Sequence, residues 1–199
     1  MKVFINEEEK NISLASISTL LDVVNQIEVT QPQGSIITEI TLNDKPLESN
    51  WYQNASKIYL LDSDKLYLKI EESTKLASSA IENSKVQFEM LLVDFVLIAK
   101  DFRTAEYTAA NEKFIQAIEN LQWFLKVLED ATFLLGRPID KIKYNDVFFM
   151  QYISELTDKL DKVINTQSQQ DWVKLADMIE YEMLPALKKI AVIYNIVEV

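Results

Sequence analysis

The chain has 199 residues, a net charge of −11, and neither histidine nor cysteine. Those absences remove thiol nucleophiles, the Ser-His-Asp triad, the usual zinc sites and imidazole proton shuttling. The only two glycines, Gly34 and Gly136, are too far apart for a Gly-rich phosphate loop, and 48% hydrophobic residues exclude a disordered chain.

Up to residue 71 the apolar pattern has the short period of strands. Val3 and Ile5 alternate with Lys2, Phe4 and Asn6, and Ile12 and Leu14 with Asn11 and Ser13. A helix follows, with Ser16 or Ser18 as its cap, Leu20, Leu21, Val24 and Ile27 at helical spacing, and Gln31-Pro32-Gln33-Gly34 as its stop. The β-branched run from Ile36 to Leu42 predicts a strand, Asn43-Asp44-Lys45-Pro46 a turn, and Leu66, Leu68 and Ile70 a last strand after an irregular stretch.

This order of elements, with the opening Met1-Lys2-Val3-Phe4-Ile5 strand and the Leu42-Asn43-Asp44-Lys45-Pro46-Leu47-Glu48 turn, resembles the ubiquitin-like β-grasp fold. The resemblance implies a docking or structural module. Conjugation to targets is not implied, because Ile70 continues through Glu71-Glu72-Ser73-Thr74 into a helix where a conjugating ubiquitin ends in a free Gly-Gly tail.

From residue 73 the period becomes helical. A first helix carries Leu76, Ala80, Phe88, Leu91, Phe95, Ile98 and Phe102 on one face. A second carries Phe114, Ala117, Ile118, Leu121, Phe124, Leu125, Leu128 and Leu135, with Thr104 as its N-cap and Gly136 just past its end. Asn145 or Asp146 is the candidate cap of a third helix bearing Phe149, Ile153, Leu156, Leu160 and Val163. Asn165-Thr166-Gln167-Ser168 is the predicted break before a fourth helix, Trp172 to Tyr194, which Pro185 kinks or breaks. The expected fold class is α+β: a β-grasp-like domain over 1–71, then an antiparallel four-helix bundle over 72–199.

Asp94 lies on a helix segment, 90–99, that is apolar around most of its circumference and is expected to be buried. There it is either a carboxylate of raised pKa suited to proton transfer, or a side chain paired with a neighbouring cation or Tyr, or at the edge of the buried face. Asp177, Glu180 and Tyr181 share a helical face. Carboxylates so spaced suit a metal, yet the di-iron pattern needs His three residues after Glu, so no cofactor or metal is expected and an acidic partner-facing surface is favoured. Trp123 and Phe148 fall beside the core faces, where they either seat the first domain against the helices or line an interaction surface.

The Asp-Trp…Leu-Ala-Asp…Glu-Tyr-Glu-x-Leu-Pro wording of 171–185 resembles a C-terminal helix of small bacterial helical proteins of unassigned function. More loosely, the helical half is similar to flagellin-export chaperones, acidic bundles that wrap a client segment. The expectation is a non-enzymatic adaptor or chaperone-like factor with a protein partner, touching it through Trp123, Phe148, Trp172, Glu180 and Tyr181. The alternatives are a carboxylate-based metal-dependent enzyme using Asp94 and Glu180, and an acidic mimic of nucleic acid. Nucleic acid is not an expected partner, since −11 repels phosphate, and neither is a membrane, since a span needs about 20 apolar residues. A homo-oligomer is compatible with the sequence. No signal peptide is expected from the opening residues, and the cytoplasm is the default location.

Overall fold

A computed structural model describes residues 1–11 and 18–197. The strand expected around Ile12 and Leu14 and the candidate cap Ser16 lie outside the described residues. The chain is mixed α and β and divides into two compact units, Met1–Lys75 and Leu76–Val199.

The first unit holds a five-stranded sheet of β1 (Lys2–Ile5), β2 (Glu8–Lys10), β3 (Ser35–Leu42), β4 (Lys45–Pro46) and β5 (Lys65–Glu72), in the order β2-β1-β5-β3-β4. β1 and β5 run parallel and the other pairs antiparallel. Alternation sends Val3, Ile5, Leu66, Leu68 and Ile70 to the buried face, where helix α1 (Leu20–Thr30) places Leu20, Val23, Val24 and Ile27 against them. Leu21, expected on that face, is 38% exposed. The stretch expected to be irregular contains a short helix α2 (Trp51–Asn54) and a 3₁₀ turn, Ala55–Lys57.

The cap of α1 is Thr19, not Ser18. The Thr19 Oγ1 accepts from the Asp22 amide and the Asp22 carboxylate accepts from the Thr19 amide, which closes a capping box that a Ser18 cap would shift out of register. Two hairpin turns, Asn6-Glu7 and Asn43-Asp44, have both residues at positive φ, as a two-residue turn between twisted strands demands.

The second unit is helical. Helix α3 (Ser73–Arg103) runs into it from the first. It is followed by α4 (Tyr107–Leu134), the two-residue strands β6 (Lys143–Tyr144) and β7 (Val147–Phe148), α5 (Phe149–Ser168), α6 (Trp172–Met178), a π-helical turn Ile179–Met183, α7 (Leu184–Ile190) and α8 (Ile193–Val197). One core joins them, built around Phe88, Phe95, Phe102, Phe114, Phe124 and Phe149, with Tyr194 packed on both Phe88 and Phe124. Its buried hydroxyls are bonded: Tyr194 donates to Ser84 at 3.3 Å and Ser84 to the Ile81 carbonyl at 2.9 Å. Burial pushes the Tyr194 phenol well above its usual range.

Several sequence expectations are corrected here. Thr104 does not cap α4; its hydroxyl donates back to the Lys100 and Asp101 carbonyls, and the helix starts after Glu106 without a side-chain cap. Asn145 and Asp146 cap no helix. Both have positive φ and turn the β6–β7 hairpin, because Asn and Asp suit a left-handed turn as well as a cap. The predicted break at 165–168 is helical: Thr166 is buried and donates to the Met178 sulfur at 3.3 Å, and the chain turns instead at Gln170, φ 58, before Asp171 caps α6. Leu76 and Ala80 are half-buried, while Ala77 and Ile81 take the core positions in the first turns of α3.

Gly136, at φ 69, ends α4 in a Schellman motif: its amide donates to the Phe133 carbonyl and that of Arg137 to the Thr132 carbonyl. The irregularity expected of Pro185 takes a definite form. Proline has no amide, and the chain widens by one residue ahead of it, so that the Leu184 amide bonds the Ile179 carbonyl five residues back.

Candidate functional site

Two places in the helical unit gather the sequence-predicted residues. At the first, α3 repeats every seven residues on both of its faces. Phe88, Phe95 and Phe102, with Leu91 and Ile98, enter the core. On the opposite side Val86, Met90, Val93 and Leu97 are 60, 64, 57 and 45% exposed. The segment 90–99, expected to be buried, is therefore buried on one side only, and Asp94 is an exposed side chain beside the apolar stripe. Stacking of Phe88 on Phe124, at 4.2 Å between ring centroids, sets α4 beside α3. Trp123, the residue before Phe124, thereby stands half-exposed at the groove between the two helices. Hollows lie on either side of its ring. One, of about 230 Å³, is lined by Met90, Asp94 and Asn120, and another, of about 510 Å³, by Ala80, Val86 and Val127.

At the second place the π-helical turn rearranges the acidic face. Arg103, at the end of α3, donates to Glu180 and to Asp177 and stands 6.0 Å over the Tyr181 ring. Glu180 and then Asp177 hold the guanidinium more firmly charged than usual. Tyr181 is 67% exposed and, with Lys162, Lys174 and Asp177, lines a hollow of about 580 Å³. Trp172 is half-buried, its ring stacked on Phe102 at 5.5 Å and on Tyr107 at 5.0 Å, so it knits α3, α4 and α6 together. Phe148 is away from both places on the β6–β7 hairpin, with the Lys143 ammonium 4.4 Å over its ring.

The structure thus joins Glu180 and Tyr181 through Arg103, and it places Trp123, Trp172 and Phe148 in three separate settings. Asp94 and Glu180 do not converge: Glu180 is bound to Arg103, nine residues further along α3, or about 13 Å by helical rise. Among the described residues no group of three or more His, Cys, Asp or Glu gathers as a metal cage. The sequence reading missed Arg103 and the stripe from Val86 to Leu97. The available signal for the stripe was a helix too apolar for one buried face.

The helical unit also defines the class of the chain. Residues 79–192, more than half of it, match the family described as Domain of unknown function (DUF8042), and the chain belongs to that family. No curated protein and no solved structure matches it. Among the described residues no helix is long and apolar enough to cross a membrane.

Proposed function

We propose that the protein is a non-enzymatic interaction module, an adaptor or chaperone-like factor of the cytoplasm that binds a protein client through its helical unit. One observation carries this reading: four large apolar side chains of α3 stand exposed in a row beside the half-exposed Trp123, with hollows on both sides of that ring. Covering such half-exposed side chains removes apolar surface worth on the order of 1 kcal/mol each, and contiguous apolar patches on soluble proteins mark binding surfaces. On this reading the first unit is a ubiquitin-like β-grasp. The order β2-β1-β5-β3-β4, with parallel β1 and β5 and α1 on one face, supports that assignment. The second unit is an antiparallel four-helix bundle of α3, α4, α5 and the α6–α7 helix, supported by their common core. A carboxylate-based enzyme would need Asp94 and Glu180 to face one cavity, and they do not.

The test is co-purification from the native cell with cross-linking mass spectrometry, using the whole chain and its Met90→Glu/Val93→Glu variant. A stoichiometric protein cross-linked to α3 or α4, and lost from the variant, supports the reading. Recovery of no stoichiometric protein at low salt overturns it.

A further inference from the structure

The exposed stripe on α3 has the spacing of a helix-pairing seam. Val86, Met90, Val93 and Leu97 are separated by four, three and four residues, which is the d-a-d-a order of a heptad repeat. A face that meets solvent has no need of so regular a spacing. A second helix lying along it does, because only the alternation of three and four keeps side chains on one line against a partner. By helical rise the row is about 16 Å long.

The positions flanking such a seam select its partner. Those at e and g are Glu82, Gln87, Glu89, Asp94, Val96 and Asp101; Lys113 of α4 pairs with Asp101 at 2.7 Å, which leaves Glu82, Glu89 and Asp94 as the acidic flank of the row. A second copy of this chain, laid parallel, would set Glu89 against Asp94. Laid antiparallel, it would oppose Glu89 to Glu89 and Asp94 to Asp94. Either arrangement brings like charges together along a desolvated edge. A helix with Lys or Arg at its own e and g positions meets carboxylates in both. The hollow between α3 and α4 adds a place for one longer side chain, with the apolar Trp123 and the acidic Asp94 both in its lining.

We infer that the occupant of the α3–α4 face is an amphipathic α-helix of another protein, apolar at a and d and basic at e and g. The inference rests on the interaction-module reading and adds to it the chemistry of the client. The seam supplies affinity, the acidic flanks exclude self-pairing and acidic helices, and Trp123 anchors the contact.

The experiment titrates the whole chain by calorimetry with synthetic helical peptides of about three heptads. One carries Leu at a and d and Lys at e and g, the second carries Glu at e and g, and the third has the composition of the first in an order without a seam. The basic seam peptide is expected to bind about tenfold or more tightly than either of the others, and more weakly as salt rises. Val93→Glu/Leu97→Glu, on exposed positions and checked for an unchanged melting profile, should remove that preference. Glu89→Lys/Asp94→Lys should transfer it to the Glu-flanked peptide. Equal binding of the basic seam peptide and its permuted form would mean attraction by net charge alone and would overturn the inference. So would equal binding of the Lys- and Glu-flanked peptides, or binding of neither. Sedimentation showing a dimer that Val93→Glu/Leu97→Glu dissolves would replace the basic helix by a second copy. None of these results bears on whether native cells supply a stoichiometric partner, so the interaction-module reading stands or falls separately by co-purification.

Discussion

Asn43 and Asp64 show how much single polar side chains organise the first unit. The Asn43 side-chain amide donates to the Asp64 carboxylate at 2.7 Å, the Leu61 amide donates to its other oxygen at 2.7 Å, and the Lys65 amide donates to the Asn43 side-chain Oδ1 at 2.9 Å. The Asn43 contact first, and then the Leu61 amide, hold the Asp64 carboxyl below its ordinary value. A depressed native pKa gives stability that is complete above the unfolded-state value of about 3.9 and is lost as pH falls through the native one. Asp64→Asn should therefore reduce hydrogen-exchange protection of the β5 amides at neutral pH and match the native chain in strong acid. Two backbone positions have simpler consequences. Thr19→Ala removes half of the capping box and should cost about 1 kcal/mol in urea unfolding. At Gly136 a Cβ would meet nothing within 4 Å, so Gly136→Ala measures the φ of 69 alone and should also cost about 1 kcal/mol.

At the scale of elements, α3 carries the clearest contrast. Phe95 is fully buried and packs edge-on against Phe114, while Val93, two residues earlier, is 57% exposed. Phe95→Ala should cost about 3–5 kcal/mol and Val93→Glu less than about 0.5 kcal/mol, read from the midpoint of chemical unfolding. Such neighbours are hard to separate by reading. Around α3 nearly every angular sector holds apolar residues, and periodicity finds a helix without saying which sector meets the core. In α4 and α5 periodicity places Phe114, Phe124, Phe149 and Leu156 in the core because their outer faces are mostly polar, with only scattered apolar side chains such as Ile115 and Phe133. The α6–α7 stretch shows another limit. Pro185 announces an irregularity, but its resolution as a π-helical turn depends on the Leu184 amide reaching Ile179 and on Arg103 holding Asp177 and Glu180. Trp172→Ala should loosen this end of the unit by about 2 kcal/mol, since its ring is stacked on two helices at once.

For the whole molecule, the surface offers aromatic side chains in unlike settings, and the proposed function ranks them. Trp123 stands between two hollows beside the apolar row, whereas Phe148 is covered on one face by Lys143. Trp123→Ala should weaken client binding about thirtyfold, as a central anchor does, and Phe148→Ala by less than about threefold, both read from the dissociation constant of the purified complex.

The sequence by itself determined what depends on near neighbours along the chain: the alternation of β1 and β5, the helical period from residue 73, the Asn43-Asp44 turn and the end of α4 at Gly136. Each follows from steric limits or amphipathic spacing within a few residues. Only the tertiary structure decided which face of α3 is buried, that Asn145 and Asp146 turn a hairpin, that Asp94 is exposed, and that Arg103 gathers Glu180 and Tyr181. These outcomes are set by residues distant along the chain, such as Phe124 stacking on Phe88 and Glu180 binding Arg103, and local spacing carries no information about such partners.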